Sequence, residues 1–344
     1  PFPPRRAGPA CDEPDVVASL PGQTFKSSHP NRWRNISVVF EAKRTDKEDP
    51  MLYCSKVNDE TLVQLSKSAR NILVAQSRLF VFTVGIYGRL ARIFRFDHAG
   101  AVCSQAFEYE SHNGAVLHEF FWRLVHPIRK DCDIVGADPA VQLATSHPRD
   151  VKPKLRSCGV DVCDETKKAC RWITLEGADK GKDKKYLLYE LIFINPRLFS
   201  RATTIWKALE LDDHGEPTGK HVVIKDAWRQ LVRESELKFH RQIHEEAFMA
   251  VWNAEWRGLA TVVAGADLGE EEELHVEDEN QTRSGIHQVN GAHQWYERSH
   301  MRLVSDVIGT PISQFQRTKE MTQGLRDAIH GHRLAFEAGI MHRD

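Results

Sequence analysis

Apolar and polar residues alternate through Ile36-Ser-Val-Val-Phe-Glu-Ala-Lys43. Ile36, Val38, Phe40 and Ala42 take one side, and Ser37, Val39, Glu41 and Lys43 the other. A period of two predicts a strand. Residues 44–59 are charged and read as a loop. Leu62, Leu65, Ala69, Ile72 and Leu73 then recur at helical spacing, which predicts an amphipathic helix over 60–76. LFVFTVGIY, RLARIFRF and AVCSQAFEY follow as consecutive strands with a turn at Gly100, and 115–128 as a helix. The stretch 130–185 is irregular, with Pro139, Pro148, Pro153 and a Lys-rich GKDKK run, and the domain boundary is placed inside it.

A second block begins near residue 186. KYLLYELIFI, ATTIWKALEL and HVVIKDA read as strands, the last two joined by a turn at Asp212-Asp-His-Gly215. Residues 228–252 read as one long helix. GLATVVAG and RLVSDVIG are further strands. Met321, Leu325, Ala328, His332 and Phe336 mark a helix over 319–339, with Gly339 as its stop. This order predicts an α+β fold with a disordered segment 1–11, an α/β domain 12–150, a linker 151–185 and a second domain 186–344.

Composition narrows the function classes. Lys+Arg is 47 and Asp+Glu is 48, so there is no global basic field for nucleic acid or membrane, and nucleic acid is not expected as a partner. Seven cysteines, an odd and sparse set, do not make a disulfide framework. They point to an intracellular setting, cytoplasm or nucleus. The longest apolar run, Leu79 to Ile86, is far below the ~20 residues that span a bilayer. The sequence begins with Pro1 rather than Met, and no signal peptide is legible in it.

The chemistry concentrates in the second block. Val222-Val-Ile-Lys225 has the pattern of a strand whose lysine holds nucleotide phosphates when a helix carboxylate orients it. The following helix offers Glu234, Glu236, Glu245 and Glu246. Val232, Glu236, Phe239, Ile243 and Ala247 share one face, which favours Glu236 as the partner over Glu234. The sequence closes on His342-Arg343-Asp344 directly after the last helix, the opening of a phosphoryl-transfer catalytic loop.

With VVIKDAWR (222–229), RLVSDVIGTPISQF (302–315), LRDAIHGHRLAFEAGIMHRD (325–344), RNISVVFEAK and ARNILVAQSRLFVFTVGIYGRLARIFRFDHAGAV, the chain resembles the fungal-type protein kinases of mushroom-forming fungi. The resemblance implies a protein-kinase-like small lobe and the start of a large lobe over 186–344. It implies ATP and Mg²⁺ as cofactors, and a protein serine or threonine hydroxyl as acceptor. Lys225 would hold phosphates, Glu236 would be its partner, and Asp344 the catalytic aspartate, with His342 and Arg343 supporting its loop. Two departures stand out. The phosphate-covering loop, Phe199-Ser-Arg-Ala-Thr-Thr-Ile-Trp206, has no glycine. The sequence also ends at Asp344, ahead of the loop Asn, the D-F-G Asp and the activation segment. On this reading the chain is expected to be an inactive fragment whose last helix exposes apolar surface. A non-catalytic pseudokinase-type binding module is the alternative.

The N-terminal domain carries a second constellation. Pro14-Asp15, Glu41-Ala-Lys43 and Gln76 resemble the PD-(D/E)xK pattern of restriction-endonuclease-like folds. Glu41 and Lys43 leave one face of a strand, two carboxylates could hold Mg²⁺, and the lysine could polarise a water. The same residues also read as a half-buried ion pair on a scaffold. Cys158, Cys163 and Cys170 lack zinc spacing, and Gly177–Asp183 lacks the length and hydroxyl of a phosphate-binding P-loop.

Overall fold

The structure is a computed structural model that describes residues 14–23, 32–110, 115–128, 130–144, 148–176, 182–250, 258–267 and 298–341. The segment 1–11, expected to be disordered, and most of the Gly177–Asp183 segment lie outside the described residues. The fold is α+β, built on two sheets. Contacts divide the chain into a first unit of Pro1–Leu143 with Pro196–Ser200, and a second of Ala144–Asn195 with Arg201–Asp344.

In the first unit, β1 (Val16–Ala18), β2 (Val38–Lys43), β3 (Val81–Tyr87), β4 (Leu90–Phe96) and β5 (Ala101–Cys103) form a sheet in that order, with β6 (Phe107–Glu108) on β4. Only β2 and β3 run parallel. The crossover between them is α1 (Lys56–Gln76), four residues longer at its start than the periodicity indicates because Ser55 caps it by accepting from the Asn58 N–H. The apolar stripe of α1 lies on one face of the sheet: Leu65, Ala69, Ile72 and Leu73 pack with Val39, Val81, Tyr87, Phe94 and Phe96. α2 (Ala115–Leu124) covers the other face, where Leu124 packs with Val38 and Val84. The alternation in 38–43 thus becomes two cores, one per face, while Ile36, ahead of the strand, packs with Val39 rather than on the expected Val38 side.

β7 (Val141–Leu143) ends the first unit. The strands of the second unit are β8 (Arg171–Leu175), β9 (Lys184–Ile194), β10 (Thr204–Leu211), β11 (Pro217–Gln230), β12 (Val262–Asp267) and β13 (Arg298–Ser305). They lie in the sheet order β12-β13-β11-β10-β9-β8. From β12 to β8 each neighbouring pair is antiparallel. The stretch 151–185, expected as a linker, holds most of α3 (Pro148–Ser157), α4 (Asp164–Ala169) and β8. Val151 and Leu155 pack with Leu187, Tyr189, Leu209 and Leu211, and the buried Arg171 lies 4.4 Å from the Trp206 ring. Its prolines and charges disguised short elements that draw their stability from this packing.

The helix expected over 228–252 is corrected as well. β11 continues through Trp228 to Gln230, because these residues pair with His300 and Arg298 of β13, and α5 begins only at Glu236 (Glu236–Ala250). Trp228 stacks on His300 at 4.8 Å. α6 (Thr318–Glu337) ends as anticipated, with Gly339 at φ +76° beyond it. Its buried face is the small-residue one: Ala335 and Ala338 pack with Ile243 of α5, and Gly331 lies against the Gly258 backbone. The apolar stripe of Leu325, Ile329, His332 and Phe336 is exposed, so His332 is not a core residue.

Candidate functional site

Lys225 sits in the middle of β11, opposite Ile205 of β10 and Leu303 of β13. Its Nζ donates to both carboxylate oxygens of Glu236, at 2.7 and 2.6 Å. Glu236 is the first residue of α5, and Ser235 caps that helix by accepting from the Lys238 N–H at 3.2 Å. Leu237, the next residue, is buried among Ala227, Met301 and Leu303. Gly265 permits this approach: a Cβ there would stand 2.9 Å from a Leu303 methyl and 3.2 Å from a Leu237 methyl. Glu234 takes no part and pairs with Lys238.

The Lys225 and Glu236 side chains remain 32% and 36% exposed. A pair this open adds at most about 1 kcal/mol to stability. It leaves a cationic Nζ, oriented by a carboxylate, within reach of an anionic ligand. His240 lies one helical turn beyond Glu236. Burial lowers its imidazole below the usual range, Glu236 opposing and Lys225 reinforcing, so it adds no charge at neutral pH.

The loop before β10 closes through the Asn195 N–H donating to the Thr203 carbonyl at 2.8 Å and the Trp228 N–H donating to Arg201 at 2.7 Å. Ala202 adopts φ +42°, the left-handed region that a side chain disfavours. Where the sequence lacks a glycine, the backbone still takes a conformation glycine would favour. Asp226, beside Lys225, is held by Arg302 (Nε at 2.7 Å) and faces His300 at 3.5 Å. Burial alone would raise its pKa, but the Arg302 charge and the His300 hydrogen bond outweigh it and hold the carboxyl well below its usual range. Asp344, with His342 and Arg343, lies outside the described residues.

In the first unit, the β1–β2 register pairs Val16 with Phe40 and so carries Asp15 to a place opposite Glu41. The Ala42 N–H donates to Asp15 Oδ2 at 2.8 Å. Lys43 donates to Glu41 at 2.6 Å and to Gln64 of α1 at 2.9 Å. Gln76 is not in this group. Its amide donates to the Trp33 and Ile36 carbonyls at 2.7 Å, and Arg78 donates to its oxygen, so it ties the end of α1 to the segment before β2. Gln64 lies twelve residues earlier on α1, the end over Lys43. Its signal was helical phase with Thr61 and Ser68, three residues before it and four after, both buried.

Glu41 is buried, and burial raises its carboxyl above the usual range despite Lys43, with Asp15 adding to the rise. Tyr87, cross-strand from Lys43, leans its hydroxyl over Gly85, the parallel neighbour of Glu41. That hydroxyl is buried without a hydrogen-bond partner among the described residues. Two carboxylates are a thin donor set. Among the described residues no group of three or more His, Cys, Asp or Glu could hold a metal ion. Nor is any helix of the described residues long and apolar enough to cross a membrane.

A search of the curated proteins and one of the solved structures found no significant match. The sequence model of the family described as fungal protein kinase matches residues 14–344, a span that takes in both sheets, the lysine–glutamate pair and the terminal His-Arg-Asp. The chain belongs to the fungal protein kinase family.

Proposed function

We propose that the second unit is a kinase-type small lobe that binds ATP, and that the family-level chemistry is transfer of the γ-phosphoryl group to a protein serine or threonine. The observation that carries this reading is the two-pronged Lys225–Glu236 pair on β11 and α5. Lys225 would hold phosphate oxygens, with Glu236 fixing its Nζ in place. Asp344 would orient the acceptor hydroxyl. Mg²⁺ bound with the nucleotide would supply charge neutralisation at the phosphates beside Lys225. The described residues supply the lysine half of such a site. Calorimetric titration of the chain with Mg-ATP tests it. Binding that is lost in Lys225→Met, with the melting temperature retained, is expected. Equal binding by both proteins would refute it.

The glycine-free loop with Ala202 at φ +42° supports a second reading, a pseudokinase-type module that binds partners without catalysis. Absence of any Mg-ATP-induced thermal stabilisation would favour it. A third reading rests on Asp15, Glu41, Lys43 and Gln64 as a Mg²⁺-dependent nuclease-like centre in the first unit. Mg²⁺-dependent nicking of plasmid DNA, abolished by Lys43→Ala, is its test.

A further inference from the structure

We infer that Arg229, locked by Asp267, is a positioning residue that sets Glu236 against Lys225. Its effect on nucleotide binding rests on the ATP reading above; its effect on the pair does not. Glu236 is the first residue of α5, where helices fray, and five residues separate it from β11. Its place therefore depends on how that short turn is held.

The holding group is the Arg229 guanidinium. Nε donates to Asp267 Oδ2 at 2.6 Å. Nη1 donates to the Arg233 carbonyl at 2.7 Å, with longer approaches to Leu231 at 3.3 Å and Gln230 at 3.5 Å. The other Asp267 oxygen accepts from Ser299 Oγ at 2.7 Å. Thus β12 and β13 fix a carboxylate, the carboxylate fixes the arginine, and the arginine fixes the turn two residues before the Ser235 cap. Arg229 and Asp267 are 7% and 2% exposed, against about a third for the pair they support. The rigid element lies under the accessible one. The guanidinium reaches the carboxylate through Nε and the Arg233 carbonyl through Nη1, two donors held apart in a fixed planar fork that the single ammonium nitrogen of lysine does not reproduce.

The test uses the full chain with Arg229→Lys, and with the milder Ser299→Ala should the first fail to fold. Amide hydrogen exchange is followed by mass spectrometry, together with the rate of Lys225 acylation by an amine-reactive ester and Mg-ATP affinity. In Arg229→Lys, exchange over 231–238 is expected to rise about ten-fold while β13 stays within about two-fold, because only the turn opens. Lys225 acylation rises with it. Mg-ATP affinity falls about ten-fold in the wild-type background and not at all on top of Glu236→Gln, since one interaction cannot be lost twice. Ser299→Ala moves each readout the same way by a smaller factor.

Exchange and acylation that change no more at 231–238 and Lys225 than across β13 overturn the proposal. So does an affinity loss that persists in full on Glu236→Gln. If the wild-type chain binds no Mg-ATP while exchange and acylation respond as stated, the ATP reading fails and the positioning role stands. If Mg-ATP binding depends on Lys225 but is untouched by both variants, the reverse holds.

Discussion

Each unit of this protein holds a lysine against a glutamate, and the two pairs differ in how they arise. Lys43 and Glu41 are two apart on one strand, so the pleat alone puts them on one face at 2.6 Å. Lys225 and Glu236 are eleven residues apart, one on a strand and one on a helix, and meet only because a buried arginine and a packed leucine fix the turn between them. Their surroundings differ too. Glu41 is 5% exposed in its side chain, whereas both members of the second pair are about one-third exposed. A local pair sunk under a helix is part of the scaffold unless something else opens it. A non-local pair kept open costs design elsewhere, in this case an Arg229–Asp267–Ser299 network, and offers a ligand a charged, oriented group.

The sharpest way to break the comparison is to remove the two lysines in turn. Lys43→Met leaves a buried carboxylate without its cation and is expected to destabilise the first unit by about 3 kcal/mol at neutral pH. Lys225→Met is expected to cost under about 1 kcal/mol while abolishing Mg-ATP binding. Chemical denaturation with unit-resolved hydrogen exchange reads both. Similar stability losses in the two variants would erase the distinction.

Acid response separates the units next. Glu41 has a folded pKa raised above its ordinary 4.5, so its contribution to stability is full below that value and is lost as pH rises through the folded pKa. Asp226 has a folded pKa depressed below its ordinary 3.8, so its contribution is present above that value and is lost as pH falls. Acidification from neutral pH should therefore relieve the first unit through Glu41. Below about pH 4 it should begin to weaken the second through Asp226. Exchange protection of β2 and β11 measured across this range, in wild type, Glu41→Gln and Asp226→Asn, checks both signs. Each substitution should flatten its own unit's profile.

The smallest expected effect is at Ala202. Ala202→Gly relieves a left-handed alanine and should be neutral to stabilising, by up to about 1 kcal/mol, in thermal unfolding. The same change would tighten Mg-ATP binding if the loop covers phosphates. Destabilisation beyond the ordinary cost of a glycine would mean that the methyl packs usefully.

Much of the architecture was legible because period carries it. The strand expected at 36–43, which forms from Val38, the three runs between 79 and 109, of which the last divides into β5 and β6, and the final helix follow from alternation and helical spacing. Where reading failed, neighbours had decided. Residues 151–185 are polar and proline-containing, yet Val151, Leu155 and Ile173 find enough apolar partners to hold helices and a strand. Residues 228–230 carry no signal against helix, but three ladder partners on β13 keep them extended. In α6 the sequence pointed to an exposed apolar surface, and Leu325, Ile329 and Phe336 are exposed, but it did not indicate which face would be buried. The small-residue face is buried, because small side chains allow closer backbone approach.

At the sites the division is similar. Lys225, and Glu236 ahead of Glu234, followed from a motif and a helical face. Glu41 and Lys43 followed from strand spacing, and Asp15 from the motif resemblance alone. Gln76 was displaced by Gln64 because Gln76, which continues the apolar stripe, lies at the far end of α1, where it binds the Trp33 and Ile36 carbonyls, while Gln64 reaches Lys43. Arg229, Asp267 and Tyr87 carried no local signal. By itself the sequence determined the elements, the family and the residue types able to handle phosphate, since these depend on local period and short motifs. Only the tertiary structure decided which carboxylate meets which cation, how exposed each pair stays, and what holds it there, since burial and cross-strand partnership are set by residues far apart along the chain.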